Sequence, residues 1–305
     1  MLAEKTRVGV TEDTKHLILN SKTLGHFLLH KEQKIRMSTL SLLITDPIST
    51  APLSAAAGNA ILTGLPSIHA ESTSKVRQEL TSLNIKLMTR LRGSSNQKSF
   101  MEQDGHDAKE FMEKYVSFLE GELIPTASYQ RHITSLKTLG IILNTGVDPN
   151  VNHVPKKEQV LWRYKVNILR ASLFRLLVNL LLDPFEEVRG NALNLLSLFT
   201  NEALRNSHGE SDVVQNLTTA LSKAEALASN TSRADHTDTV ARLYHALFTR
   251  TSSNSTQTPE TWFQTKLGVV DELLQRLEAK MFRQGGLFST STRDSPLHGY
   301  LAALK

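Results

Sequence analysis

Apolar residues recur along most of this chain at three- and four-residue intervals, the spacing that places them on one face of an α-helix. The pattern predicts helices over Thr11–His30, Gln33–Thr45, Ser72–Arg92, Asp107–Leu123, Ala127–Asn144, Lys156–Leu182, Pro184–Arg205, Asp212–Ser229, Ala234–Thr249 and Glu260–Arg283. Polar stretches rich in Ser, Thr, Asn and Gly separate them at Gly93–Asp107, Thr249–Glu260 and Arg283–Pro296, and these read as loops. No run of alternating β-branched residues is read as long enough to build a sheet.

The clearest unit is LLVNLLLDPFEEVRGNALNLLSLF, Leu176–Phe199, which reads as two apolar helices folded back across an Asp-Pro turn. Asp183 is placed to cap the second helix, Pro184 to occupy its first position, and Glu186 to reach back as a capping-box glutamate. Val188, Ala192, Leu195, Leu196 and Phe199 then form one buried stripe. This is the pattern of a HEAT-type helical repeat.

Similar pieces recur, each with a basic residue soon after a turn and then an apolar helix, around Arg36, Arg77, Arg131 and Arg189. The intervals between these arginines are 41, 54 and 58 residues. Helical repeats of this kind run roughly 40–47 residues, so the first interval fits directly and the others require inserted loops. Asp-Pro pairs recur at Asp46-Pro47 and Asp148-Pro149. The expected fold is all-α, a HEAT/armadillo-like α-solenoid of stacked antiparallel helix pairs, with residues 1–305 forming a single solenoid segment. A length of 305 residues would otherwise suggest two domains, but a solenoid grows by stacking.

Composition then restricts the chemistry. Cysteine is absent, which excludes disulfides and thiolate metal sites and favours a reducing compartment. The N-terminus, MLAEKTRVGVTEDTK, has no apolar core of a secretory signal. The longest apolar run, Leu173–Leu182, is too short to span a bilayer. The protein is therefore expected to be soluble and cytoplasmic, without membrane insertion.

Searches for catalytic and ligand-binding constellations come out empty. A methyltransferase or dinucleotide fold would need strands alternating with helices and a glycine-rich loop, yet no Gly-x-Gly occurs. Gly58 and Gly64 have the wrong spacing for a phosphate loop, and no lysine follows them. His26 and His30 stand four apart in HFLLH, but with no third ligand nearby they read as ordinary helix-face histidines. Asp104, His106 and Asp107 in DGHD read as an exposed loop and helix cap. No catalytic residue, cofactor, metal or small-molecule substrate is expected.

Charge offers one further candidate. The net charge is +5, with 35 basic against 30 acidic residues. On a helix beginning after Pro155, Lys156, Arg163 and Arg170 would lie at seven-residue intervals along one stripe, with Lys157, Lys165 and Arg175 beside it. Such a row can follow an RNA backbone, each cation displacing a condensed counterion, so Lys156, Lys157, Arg163, Lys165 and Arg170 are the candidate RNA-phosphate contacts. The plain alternative is a solvated helix face. Trp162 and Tyr164 beside the row are better suited to core packing than to stacking on bases. Lys86, Arg90, Arg92 and Lys98 form a second, weaker patch.

The last segment, SPLHGYLAALK, begins like a helix capped by Ser295 and stops at Lys305 after three turns, so the chain reads as cut from something longer. Three segments in order, PTASYQRHITSLKTLGIIL (Pro125–Leu143), LLVNLLLDPFEEVRGNALNLL (Leu176–Leu196) and GLFSTSTRDSPLHGYLAALK (Gly286–Lys305), resemble the THADA family, named for thyroid-adenoma-associated protein. The resemblance is strongest over 125–305; the first 120 residues read as generically helical. It implies a large helical scaffold, not an enzyme. In yeast the relative is the partner subunit of the 2′-O-ribose methyltransferase that modifies the tRNA anticodon loop. The implied partners are that tRNA 2′-O-methyltransferase catalytic subunit and tRNA. The family's Arg-Arg-Ser-Ala-Gly stretch is not found here and is expected downstream of Lys305, so no functional residue carries over. A general HEAT-type protein–protein adaptor, without RNA contact, is the competing expectation.

Overall fold

The computed structural model describes residues 21–46, 48–70, 73–151 and 162–199, short helical pieces at 219–226 and 238–243, and isolated helical positions at 271, 274, 275 and 278. The chain divides into two compact units, Met1–Ile168 and Leu169–Lys305. Among the described residues the regular structure is entirely helical, and no helix is long and apolar enough to cross a membrane.

In the first unit the helices are α1 (Ser21–Phe27), α2 (Gln33–Ile44), α3 (Ala55–Ala70), α4 (Ser74–Ser95), α5 (Glu102–Gly121) and α6 (Tyr129–Asn144). Each packs on the helix two places along: α1 on α3, α2 on α4, α3 on α5, and α4 on α6. Odd-numbered helices thus form one layer and even-numbered helices the other, which is the arrangement that stacked helix pairs produce. Leu80, Leu87 and Leu91 of α4, Met112, Tyr115 and Leu119 of α5, and Leu136, Leu139 and Ile142 of α6 fill the space between the layers. A buried polar bridge crosses the same core: Tyr115 Oη donates to Asn84 Oδ1 (2.8 Å) and Asn84 Nδ2 to Thr138 Oγ1 (3.0 Å).

Two predicted boundaries change. Helix α3 is not among the predicted helices; in the sequence Gly58 and Gly64 read only as a failed phosphate loop. In the folded unit the glycines permit close approach instead: a Cβ on Gly64 would meet Leu28 Cβ at 2.7 Å, and one on Gly58 would meet the Phe111 ring at 3.1 Å. Pro66 falls on the exposed face. Helix α5 starts five residues before the predicted Asp107 and takes in all of DGHD. There Asp104 Oδ2 accepts the Met101 N–H (3.1 Å) and Asp107 Oδ1 accepts from Gln103 (2.7 Å), so these carboxylates stabilise the first turns rather than an exposed loop.

In the second unit, α7 (Ala171–Leu180) packs against α8 (Glu186–Ser197). The predicted stripe is buried: Val188 and Ala192 are fully enclosed, with Leu195, Leu196 and Phe199 beside them. The turn works differently from its prediction. Asp183 Oδ1 accepts the Phe185 N–H (2.8 Å) within the turn, Phe185 occupies the cap position, and Pro184 precedes the helix.

The recurring arginines have a physical role at two of their four positions. Arg36 is the fourth residue of α2, is 5% exposed, and donates to the carbonyls of His30 (2.6 Å) and Lys31 (2.9 Å). Arg189 is the fourth residue of α8, is 4% exposed, and donates to the Asp183 carbonyl (2.8 Å). Each satisfies carbonyls of the preceding turn that no helix can pair. Arg131 instead forms a half-exposed ion pair with Glu122 (3.3 Å).

Candidate nucleic-acid interface

The basic row was predicted on a helix over Lys156–Leu182. Lys156 and Lys157 lie outside the described residues. From Trp162 to Arg170 the chain is not helical, and α7 begins only at Ala171. Within the first unit, residues 162–168 form an extended segment. Trp162, Tyr164, Val166 and Ile168 are buried, whereas Arg163, Lys165 and Asn167 are exposed, so the pattern has a period of two. The seven-residue spacing of Arg163 and Arg170 therefore does not place them on one helical stripe. Arg170 caps α7 in the second unit.

The end of α6 holds this segment in place. Gly146, at φ 77°, ends the helix in the left-handed region, and its N–H bonds the Leu143 carbonyl (3.1 Å). Just beyond it, Trp162 Nε1 donates to the Thr145 carbonyl (2.9 Å) and the Val166 N–H to the Val147 carbonyl (3.2 Å). The fully buried Asp148 accepts the Ile168 N–H on Oδ2 (2.7 Å) and the Asn150 N–H on Oδ1 (2.8 Å). On the other side the Arg163 N–H donates to Ser95 Oγ (2.7 Å). Trp162 and Tyr164 pack edge to face at 5.3 Å, the core role expected of them.

Arg163 and Lys165 project from this anchored backbone beside the first turn of α5. The Arg163 guanidinium lies 5.9 Å from the centre of the Phe100 ring and donates to the Phe100 carbonyl (3.0 Å). Arg163, Tyr164 and Lys165 line a cleft of about 490 Å³ with Met101, His106 and Lys109. Partial burial lowers the Lys165 ammonium's pKa, and stronger burial raises the pKa of the Tyr164 hydroxyl. Of the five candidate contacts, the fold thus brings Arg163 and Lys165 together. It adds Lys109 and His106 from α5, which the sequence spacing could not have linked to them.

One member of the second patch turns inward. Arg90 is 8% exposed and donates to the carbonyls of Ala51 (2.8 Å), Ile44 (2.9 Å), Pro52 (3.0 Å) and Leu43 (3.2 Å), with Asp46 Oδ2 at 3.5 Å. It closes the C-terminal end of α2, where helix carbonyls lack N–H partners. In the His26–His30 pair, His30 Nδ1 accepts the Glu32 N–H (3.0 Å). No group of acidic and histidine residues among the described residues is arranged to hold a metal.

Comparison with known proteins agrees with the helical repeat. A stretch of 90 residues, 29% of this chain, is 30% identical to the tRNA (32-2'-O)-methyltransferase regulator trm732 of Schizosaccharomyces pombe. That match spans 6% of the length of the relative. No solved structure matches the chain significantly. The family model described as "Trm732, TPR repeats" matches residues 3–190, including nearly all of the first 120 residues, all of Pro125–Leu143 and the greater part of Leu176–Leu196. A match over more than half of its length, on a chain whose described residues fold as paired helices, means that this protein belongs to the Trm732 TPR-repeat family.

Proposed function

We propose that this chain is a non-catalytic scaffold segment of a regulatory subunit in tRNA modification. In this reading it binds a 2′-O-ribose methyltransferase and tRNA in the cytoplasm and supports methylation of the anticodon loop. The observation that carries the proposal is the family match, joined to a relative described as a regulator of a tRNA 2′-O-methyltransferase. The resemblance to the THADA family points to the same class of scaffold. The chain's own chemistry is compatible with a supporting role, since its buried polar groups Asn84, Arg90 and Asp148 are engaged in holding helices and turns. Arg163 and Lys165 supply the part of the proposed RNA contact that lies within the described residues.

The test is reconstitution. Purified chain given S-adenosylmethionine and tRNA should transfer no methyl group. Addition of the cognate methyltransferase should yield 2′-O-methylation that exceeds the rate of that enzyme alone. Robust transfer by the isolated chain would refute the scaffold assignment. Co-purification of the two proteins without any effect on methylation would favour the general adaptor.

A further inference from the structure

We propose that the cleft between the first turn of α5 and the extended segment 162–168 is a pocket for one nucleotide of an RNA strand. Arg163 and Lys165 would hold its phosphodiester, with Lys109 in the same lining. The inference rests on the reading of this chain as an RNA-contacting subunit, and it names the place and chemistry of the contact.

Four observations converge on the cleft. Its volume, about 490 Å³, is in the range of pockets that enclose small ligands. Its lining brings cationic Lys109, Arg163 and Lys165 together with His106 and a single carboxylate, Glu102. The first turn of α5 is already capped by Asp104, so these side chains, and not a free helix terminus, provide the positive field. Arg163 is pre-organised: one guanidinium nitrogen is fixed on the Phe100 carbonyl beside the ring, which orients the rest of the fork for a phosphate.

Tyr164 positions the two cations and does not itself meet the ligand. It is 7% exposed, its hydroxyl is enclosed on the core side of the extended segment, and its packing on Trp162 leaves Arg163 and Lys165 on the opposite, cleft side. Glu102 narrows the choice of ligand further. A carboxylate in the lining disfavours a compact multivalent anion, but it can accept from a ribose 2′-hydroxyl, a group that RNA carries and DNA does not.

The experiment measures binding of the full chain to a fluorescent unstructured RNA and to unmodified tRNA by anisotropy across a salt series. Tyr164→Phe and the double variant Arg163→Gln/Lys165→Gln are compared with wild type. The double variant should bind about tenfold or more weakly and lose roughly 1.4–1.8 units of salt slope, from two contacts at about 0.7–0.9 each. Tyr164→Phe is the control and should bind like wild type, because the hydroxyl does not reach the cleft and the ring stays packed on Trp162. Should the double variant fail to fold, Lys165→Gln alone, at an exposed position, takes its place with about half the loss of slope.

Inorganic phosphate should not displace the RNA; displacement would overturn the nucleotide assignment in favour of a plain anion site. Unchanged affinity and slope in all variants would overturn the cleft while leaving the RNA-contact reading intact. Absence of RNA binding by wild type, in a preparation that still stimulates the methyltransferase, would overturn both the cleft and the RNA contact.

Discussion

Asp148→Ala should destabilise the first unit by about 3–5 kcal/mol and release the segment that carries Arg163 and Lys165. Asp148 is fully buried and holds two backbone N–H groups, those of Asn150 at 2.8 Å and Ile168 at 2.7 Å. A hydrogen bond to a charged group contributes about 1.5–3 kcal/mol, and removing the acceptor leaves a buried donor unsatisfied. The Ile168 bond is buried, so its loss incurs the whole penalty, about 2–3 kcal/mol. The Asn150 bond is only partly buried, and water can replace the acceptor there at a smaller cost of about 1–2 kcal/mol. Asp148→Asn keeps one acceptor oxygen and should lose roughly half as much.

Trp162 is the natural reporter, since its indole is buried and bonded to the Thr145 carbonyl at 2.9 Å next to the perturbed site. The chain has two tryptophans, so a Trp262→Phe background isolates its signal. Urea unfolding followed by Trp162 fluorescence should show the midpoint fall in the order wild type, Asp148→Asn, Asp148→Ala. A loss below ~0.5 kcal/mol for Asp148→Ala, the level of an ordinary surface change, would refute the account of how this segment is anchored.

Three further outcomes are expected. Leu195→Ala, in the buried stripe of α8, should cost about 2–5 kcal/mol in denaturant unfolding; a surface-like value would mean that this face is not packed. Gly64→Ala should cost about 1–3 kcal/mol, because the new methyl must displace Leu28 from 2.7 Å, and a neutral effect in thermal unfolding would show that α1 gives way freely. Burial, with a smaller contribution from Arg131, lowers the His69 pKa from 6.5 to about 4, so the native state binds fewer protons than the unfolded chain between those values. Stability should therefore be complete above pH 6.5 and fall by about 3 kcal/mol as pH drops towards 4, and a His69→Phe variant with an unchanged pH profile would assign that loss to other groups.

Local periodicity was enough to read the helical class and much of the core. The stripe Val188, Ala192, Leu195, Leu196 and Phe199 is buried because one helix face is its own best predictor of burial. Helices α2, α4 and α6 start within two residues of their predicted positions for the same reason. The segment WRYKVNI shows how that reading fails. Its alternation of apolar Trp162, Tyr164, Val166 and Ile168 with polar residues is a period-two signal in plain view. It was absorbed into a helix because apolar runs on its C-terminal side, in what became α7, fit the helical period.

Other features belong to the tertiary structure alone. Gly58 and Gly64 carry no phosphate-loop signal in the sequence; once Leu28 and Phe111 lie against them, the missing side chain is the reason that the helices fit. Arg90 reads as part of a surface patch, but open carbonyls at the end of α2 and in the loop after it, 38 to 47 positions away, turn it inward. The cleft likewise joins Lys109 to Arg163 and Lys165, which are more than 50 residues apart in the chain. Spacing within one element determines which face of a helix is apolar, because the backbone repeats every 3.6 residues whatever its surroundings. Which charged groups converge depends on how separate elements stack, and that is settled by packing and by the pairing of backbone groups where elements end, which no local period records.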